Sequence, residues 1–159
     1  MGGDTGIRDV VTGLYVREYF DDVIARELER SRRHGIRLSV LSVVLANFAE
    51  LTKAGEETAL GAVVEAARAL QGSVRETDHL FRWEEDEFLL LLFNADAEAC
   101  ALKVGQLDLL FRPWRTVASP VPHPVRVRVG GATHEGDLVF ATVLQAARES
   151  ARAGAHGPG

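Results

Sequence analysis

Two groups of charged residues lie close together in the middle of the chain and could each do chemistry. Arg75 and Asp78 are spaced so that both side chains can point the same way between a helix and a strand. A guanidinium can pair with phosphate or with the O6/N7 edge of guanine, and a carboxylate can accept from guanine nitrogens. The alternative is a local ion pair that caps the helix. Residues 84–87 are all acidic, and carboxylates are common ligands of Mg²⁺. For Asp86 and Glu87, however, we favour the interpretation that they form a solvated acidic turn.

The composition predicts one folded domain that binds neither nucleic acid nor membranes. The 159 residues are 47% hydrophobic and 26% charged, and 18 Lys+Arg against 23 Asp+Glu give a net charge of −5. Such a chain lacks the basic face that a general nucleic-acid or membrane-surface binder needs. Cys100 is the single cysteine, so an internal disulfide is excluded and a reducing, cytoplasmic location is expected. The histidines show no metal-ligand spacing.

Hydrophobic periodicity predicts four helices and four strands. In chain order we expect a helix at 17–34, a strand at 37–45, a helix at 56–74, strands at 78–83 and 87–93, a helix at 95–111, a strand at 125–129 and a helix at 138–152. Leu60 is placed on the inner face of its helix, and residues 84–86 are expected to close a β-hairpin. This order predicts an α+β fold over 9–152, a mostly antiparallel sheet flanked by helices, with loosely ordered ends at 1–8 and 153–159.

Three segments of the chain resemble the GGDEF domain, the catalytic unit of bacterial diguanylate cyclases. Residues 9–14 with Arg17 and Phe20 are similar to its opening D-x-L-T-G-L-x-N-R-x-x-F, and Gly130 and Ala132 match its late S-I-G-x-A. The family's R-x-x-D, followed after five residues by G-G-D-E-F, is matched by Arg75, Asp78 and the run Glu84, Glu85, Asp86, Glu87 and Phe88. The resemblance spans 9–152 and implies a nucleotidyl-cyclase-like fold.

The resemblance also implies that catalysis is lost. Active members hold two Mg²⁺ ions with an aspartate from the first core strand and the acidic pair of G-G-D-E-F. Here the strand positions carry Val44 and Ala46, which offer no side-chain ligand and leave Asp86 and Glu87 without a partner carboxylate. Glutamates at 84–85 replace two glycines and put bulk and charge where the family places nucleotide. We therefore expect a degenerate domain with no catalytic residue, no metal and no cofactor.

The family's product site, by contrast, is present. Arg75 and Asp78 occupy its R-x-x-D, the inhibitory site for cyclic di-GMP, and His79 and Lys103 are neighbouring side chains that could contribute. Lysine lacks the fork of a second arginine, so modest affinity or help from a second subunit is expected. For His79 we favour a strand-surface role without ligand contact. The leading hypothesis is a cyclic di-GMP receptor that signals through dimerisation or through docking to a partner protein or a fused signalling domain.

Two rival hypotheses stay open at this point. A nucleotide-independent scaffold would use residues 84–87 as an exposed acidic knob that a basic protein surface reads. A residual enzyme would use Asp86 with an unexpected base. The three hypotheses differ in whether the domain binds cyclic di-GMP, binds a protein without nucleotide, or converts GTP.

Overall fold

The computed structural model describes residues 6–116, 118–136 and 138–153, so most of both predicted loose ends lies outside the described residues. The strands are β1 (Tyr15–Val16), β2 (Leu38–Leu45), β3 (His79–Glu84), β4 (Glu87–Phe93) and β5 (Val127–His134). The helices are α1 (Phe20–His34), α2 (Phe48–Ala54), α3 (Glu56–Gln71), α4 (Ala97–Phe111) and α5 (Phe140–Ala153), with 3₁₀ turns at Arg17–Tyr19 and Arg112–Arg115. The predicted α+β fold is confirmed.

The five strands form one sheet in the order β1-β3-β4-β2-β5. Only β1 and β3 run parallel, and every other neighbouring pair is antiparallel. All eight residues of β2 are buried, because helices cover both faces and strands cover both edges. A strand buried on all sides reads as a nearly continuous apolar run, which is why the sequence LSVLSVVL suits the centre of this sheet.

Helices cover the sheet in two layers, each with its own core. One core joins α2, α3 and α4 to a face of the sheet, and its largest buried side chains include Leu41, Leu45, Leu51, Phe88, Leu107 and Phe111. The other core joins α1 and α5 to the opposite face through Phe20, Val23, Leu38, Phe81, Leu89 and Val143. Residues of β2 and β4 enter both cores because successive side chains of a strand alternate between faces.

Gly130 lets α5 approach β5 closely. A Cβ at this position would lie 2.2 Å from the backbone nitrogen of Ala151, a distance that no side chain could occupy without moving the helix. The close contact fixes the C-terminal half of α5, which carries Arg148 and Arg152, against the sheet.

The structure differs from the sequence expectations at several elements. Helix α2 and strand β1 were not expected, and β5 begins two residues later than predicted and continues to His134. Leu60 is 51% exposed, so its predicted inner position is wrong: α3 packs through Val63, Leu70 and four alanines. Ile7, inside the predicted loose end, accepts a hydrogen bond from the backbone N–H of Val16. Among the described residues, no helix is long and apolar enough to cross a membrane.

Candidate functional site: the hairpin face and the Arg75 pocket

The β3–β4 hairpin closes through a two-residue turn, Glu85 and Asp86. Arg82 holds this turn from within: its Nε donates to the carbonyl oxygen of Glu84 at 3.2 Å and its Nη2 to that of Glu85 at 2.9 Å. Its Nη1 lies 3.2 Å from Asp9 in an ion pair that is mostly buried. The carbonyl oxygen of Asp86 accepts from the backbone N–H of Leu45 at 2.9 Å, so both carbonyls of the turn are bonded, and the turn is one residue tighter than the predicted 84–86.

Glu87 opens β4, and its side chain points into the molecule. Its Oε2 accepts from Ser42 Oγ at 2.7 Å and from Arg148 Nε at 2.9 Å. Its Oε1 accepts from Arg148 Nη2 at 2.9 Å and from Arg152 Nη2 at 3.3 Å. The residue is 0% exposed. The favoured interpretation of Glu87 as part of a solvated turn is thus wrong, because the strand pleat turns this side chain toward α5.

The environment of Glu87 keeps it ionised. Burial by itself would raise the pKa of this carboxyl, but the hydrogen bonds from Arg148 and Ser42 and the positive charges of Arg148 and Arg152 outweigh burial and lower the pKa below its ordinary value. The hydrogen bond to Glu87 in turn raises the pKa of Arg148. One buried carboxylate thus accepts hydrogen bonds from two guanidinium groups and one hydroxyl. We call this group the Glu87 clamp; its side chains are those of Ser42, Glu87, Arg148 and Arg152.

The residues at this position do not fit a magnesium ion. Val44 is the cross-strand neighbour of Glu87 and is 2% exposed, so an aliphatic side chain fills the space where a second carboxylate would have to stand. Ala46 follows β2 and contributes no side-chain ligand. Both oxygens of Glu87 already accept hydrogen bonds from cationic or hydroxyl donors. Among the described residues, no group of three or more His, Cys, Asp or Glu is placed to hold a metal ion.

The other acidic residues of the hairpin are mostly paired as well. Glu84 lies 2.6 Å from Arg17 and 3.8 Å from Arg148, and Asp86 lies 3.8 Å from Arg152. The guanidinium of Arg17 also stacks 4.4 Å above the ring of Trp83, on the same strand as Glu84. Of the four acidic side chains, Glu85 alone makes no ion pair with a described residue. The expected exposed acidic knob is therefore neutralised, and Phe88 beside it is a core residue.

Arg75 and Asp78 meet in the loop between α3 and β3, as their spacing predicts. Asp78 accepts from the backbone N–H and Nε of Arg75 at 3.1 and 3.3 Å, and from its Nη2 at 3.1 Å. It also accepts from the backbone N–H of Phe93 at 3.3 Å, so its side chain is only 1% exposed. Arg75 donates to the carbonyl oxygen of Phe93 at 2.8 Å and keeps 59% of its side chain exposed. Asp78 is thus a loop anchor, whereas the guanidinium of Arg75 faces solvent.

Lys103 lies across a shallow pocket of about 250 Å³ from Arg75 and Asp78. Its ammonium donates to the carbonyl oxygen of Ser73. Partial burial lowers the pKa of Lys103, and the nearby charge of Arg75 acts in the same direction while Asp78 opposes it. The remaining walls come from α4, the end of β4 and the residues between them, including Asn94, Ala99, Leu102 and Gln106. We call this cavity the Arg75 pocket.

His79 does not reach the Arg75 pocket. It is the first residue of β3, and its ring turns toward the α1 layer, where Nε2 lies 3.4 Å from Glu27 Oε2. Glu27 is buried and also pairs with Arg30 at 3.3 Å, and Tyr15 packs near the imidazole. The candidate ligand role for His79 is therefore corrected: α4 and α1 lie on opposite faces of the sheet, so Lys103 and His79 face different layers.

Sequence reasoning missed Ser42, Arg148 and Glu27. Ser42 interrupts an apolar strand, which signals a buried hydroxyl that needs a partner. Arg148 and Arg152 are four apart on a helix and therefore share a face, which could have marked them as a pair. The local pattern of α1 shows only that Glu27 and Arg30 are three residues apart and does not mark Glu27 as buried, because His79 lies on a strand 52 residues away along the chain.

The family model for "Diguanylate cyclase, GGDEF domain" matches residues 7–154. The chain belongs to the GGDEF family. The diguanylate cyclase DosC of Escherichia coli (strain K12) is 32% identical over 150 residues, which cover 89% of this chain and 31% of DosC. The probable diguanylate cyclase DgcC of the same strain is 28% identical over 93 residues, or 58% of this chain and 25% of DgcC. The domain thus spans less than a third of these relatives.

Solved structures share the fold. Diguanylate cyclase SiaD from Pseudomonas aeruginosa, in complex with its activator SiaC, has a TM-score of 0.82 at 27% identity, covering 98% of this chain and 60% of SiaD. The GGDEF domain of DgcB from Caulobacter crescentus, in complex with c-di-GMP, has a TM-score of 0.82 at 16% identity, covering 95% and 88%. The predicted GGDEF resemblance and cyclase-like fold are confirmed, and this domain is a relative of diguanylate cyclases.

Proposed function

We propose that this GGDEF domain is catalytically silent and acts as a regulatory module that binds cyclic di-GMP. The Glu87 clamp is the observation that supports catalytic silence. Its carboxylate is desolvated and bonded on both oxygens by Ser42, Arg148 and Arg152, so a divalent cation would have to displace two guanidinium groups to reach it. Val44 adds no compensating ligand.

Charge repulsion supports this proposal less than the sequence alone implied. Arg17 and Arg148 neutralise Glu84, and Arg152 lies near Asp86, so the hairpin is closer to neutral than four adjacent carboxylates suggest. Two features support the absence of catalysis instead: Val44 provides no second carboxylate, and both oxygens of Glu87 already accept hydrogen bonds.

Catalytic silence is tested by incubating the purified domain with GTP and Mg²⁺ and separating the nucleotides by chromatography. We expect GTP to persist and no cyclic di-GMP to form. Repeating the assay with Glu87→Gln distinguishes a true activity from a contaminant. Product that forms with the wild-type domain and disappears with Glu87→Gln would overturn the proposal.

The exposed guanidinium of Arg75 supports the proposal that the domain binds cyclic di-GMP. Asp78 accepts from Nε and Nη2 along one edge of this guanidinium, and the carbonyl oxygen of Phe93 also accepts from Nη2, which fixes the arginine in place while 59% of its side chain stays open. Lys103 adds a second positive charge across the Arg75 pocket. A phosphodiester needs such cationic donors, and a guanine can stack on or bond to a planar guanidinium. A neighbour of the same fold, the DgcB domain, was solved in complex with c-di-GMP.

Because Asp78 is buried, we assign it a positioning role and Arg75 the ligand contact. Isothermal titration with cyclic di-GMP tests this with Arg75→Ala and the matched control Arg68→Ala, an exposed arginine of α3 that pairs with Glu65. We expect saturable heat for the wild-type protein and for Arg68→Ala, and at least tenfold weaker binding for Arg75→Ala. Equal binding by Arg75→Ala, or no heat from the wild-type protein at high micromolar ligand, contradicts the proposal.

The rival scaffold hypothesis loses its main support in this geometry. An acidic knob needs exposed, unpaired carboxylates, but Glu87 is buried and Glu84 and Asp86 lie near arginines. Glu85 alone is left to attract a basic surface among the described residues, and a single exposed carboxylate contributes little to recognition.

A further inference from the structure

Strand β5 lies at one edge of the sheet, and its outer side has no strand partner among the described residues. The strand has eight residues and pairs with β2 in one continuous register. Edge strands of natural proteins are usually short, bulged, charged or interrupted by proline, because free backbone groups attract other strands. Between Arg128 and Glu135, β5 has no proline, no bulge and no Lys, Arg, Asp or Glu. This part of the edge is therefore unprotected.

The register shows which backbone groups of β5 point away from the sheet. Just before the strand, the backbone N–H of Ala46 donates to the carbonyl oxygen of Arg126 at 2.7 Å, and the antiparallel pairing continues from there. Because hydrogen-bonded pairs alternate in an antiparallel ladder, the even-numbered residues of β5 bond to β2. The odd-numbered residues Gly131 and Thr133 therefore direct their N–H and C=O groups outward, at the open edge.

A groove of about 440 Å³ follows this edge between two helices. Small or apolar side chains form its walls: Ala97, Cys100, Ala101 and Val104 of α4 and Ser150 of α5. Two glycines let both helices lie close to the strand, since a Cβ at Gly131 would lie 2.8 Å from Cys100 Sγ and one at Gly130 would meet the backbone of α5. Neither glycine has a side chain to cover the edge, and glycine inside a strand often marks a close approach of another backbone.

We propose that this groove receives an extended segment of a partner protein, which adds a strand to the sheet beside β5. The outward N–H and C=O groups of Gly131 and Thr133 bind its backbone, because main-chain hydrogen bonds supply the affinity when a strand joins a sheet edge. The close walls restrict the side chains of the segment to small ones such as alanine, serine and threonine. Glu135 lies at one end of the groove, 49% exposed and 3.8 Å from Arg37, and can also pair with a basic residue of the segment.

A single extended chain suits the groove better than a second copy of this domain. Residues of α4 and α5 flank the edge on both sides, so the backbone of β5 is recessed between the two helices. Paired strands lie about 4.8 Å apart, whereas a helix with its side chains is about 10 Å wide. The helices of two copies would therefore meet before their recessed edges could pair. The contact needs no nucleotide, so it goes beyond the proposed function and is tested independently of it.

A fluorescein-labelled peptide, Lys-Ala-Thr-Ala-Thr-Ala-Thr-Lys, tests the docking by fluorescence anisotropy. Its side chains are small, its threonines favour an extended backbone, and a lysine at each end can reach Glu135 in either direction. We expect a saturable rise in anisotropy with the wild-type domain. The same peptide N-methylated at its central alanine and threonine should not bind, because it lacks a backbone donor in each alternating set. No saturable rise with the unmodified peptide, or equal binding of the N-methylated one, overturns the proposal.

Two substitutions at Thr133 separate its outward N–H from its side chain. Thr133→Pro removes this N–H without breaking the ladder to β2, since the group faces away from the sheet. Thr133→Val is the matched control: both variants lose the hydroxyl that lies 2.8 Å from Ser39 Oγ, but valine keeps the N–H. We expect about tenfold weaker peptide binding for Thr133→Pro and wild-type affinity for Thr133→Val, with circular dichroism verifying that both are folded. Equal affinity of the two variants contradicts the proposal.

Amide hydrogen exchange, measured by NMR on the wild-type domain, tests the same geometry without a substitution. In the free domain we expect the amide protons of Gly131 and Thr133 to exchange faster than those of Gly130 and Ala132, which bond to β2. Saturating peptide should slow the exchange of Gly131 and Thr133 and leave their two neighbours unchanged. Slow exchange of Gly131 and Thr133 in the free domain, or exchange that the peptide does not slow, would refute the docking edge.

Discussion

The hairpin face and the Arg75 pocket use the same pair of residue types in opposite ways. In both, an arginine and a buried carboxylate form a bidentate or nearly bidentate contact: Arg148 with Glu87, and Arg75 with Asp78. At the hairpin the arginine is 24% exposed and a second arginine converges on the same carboxylate. At the pocket one arginine remains, and it is 59% exposed.

We propose that this difference decides which site can still receive a ligand. A carboxylate that is buried and saturated by cations has no lone pair for a metal, whereas an arginine that is anchored from one side offers its other side to an anion. The two regions therefore differ less in their content of charged residues than in which member of the pair faces solvent. Variants of each pair separate these roles.

The largest expected effect belongs to Arg148→Ala. Removing this arginine leaves the buried carboxylate of Glu87 with only Ser42 and Arg152, and breaking a buried ion pair from the cationic side costs about 3 kcal/mol of unfolding free energy. Urea denaturation measures the loss, with Arg68→Ala as the exposed control. If the loss is the same in a Glu87→Gln background, the ion pair is not its cause.

A smaller loss is expected for Asp78→Ala. This change leaves the backbone N–H groups of Arg75 and Phe93 without their acceptor, at a cost of about 2 kcal/mol. Arg75→Ala removes only the exposed guanidinium that pairs with Asp78, so it should lower the free energy of unfolding by about 1 kcal/mol or less. The same urea titration ranks the two variants. An Arg75→Ala variant that is the less stable of the two would contradict the assignment of Asp78 as anchor.

Most of the fold could be predicted from the sequence, because local patterns record it. Strand β4 has the bounds that its apolar run predicts, and α1 ends at His34 and is followed by Gly35 in a left-handed conformation, as a glycine after a helix indicates. Strand β1 could not be predicted, since two residues carry no periodicity and their pairing with Phe81 and Arg82 is parallel and distant.

The charged site was less predictable than the fold. Whether Glu87 is solvated depends on Ser42 and Arg148, which are 45 and 61 residues away along the chain, so local sequence around the hairpin carries no trace of the clamp. Arg75 and Asp78 were predictable because they are three residues apart in one loop. Distance along the chain, more than chemistry, separates the contacts that could be predicted from those that could not.

The smallest stability effect is expected from pH. Because the pKa of Glu87 is lowered by folding, its contribution is complete above the ordinary glutamate pKa of about 4.3 and is lost as pH falls through the lower folded value. Glu87→Gln should therefore lose less stability than the wild-type protein on acidification from neutral pH to below pH 4. Urea midpoints at both pH values measure the difference. Asp9, whose pKa is also lowered, keeps some acid dependence in both proteins.

The central claim is that the Glu87 clamp takes the place of a metal site, and manganese binding tests it most directly. Mn²⁺ accepts the same oxygen ligands as Mg²⁺, and its free aqueous ion gives a spin-resonance signal that weakens on binding. With GTP absent and the domain in excess, we predict that the free Mn²⁺ signal is unchanged. A stoichiometric loss of that signal with the wild-type domain, abolished by Glu87→Gln, would contradict the account.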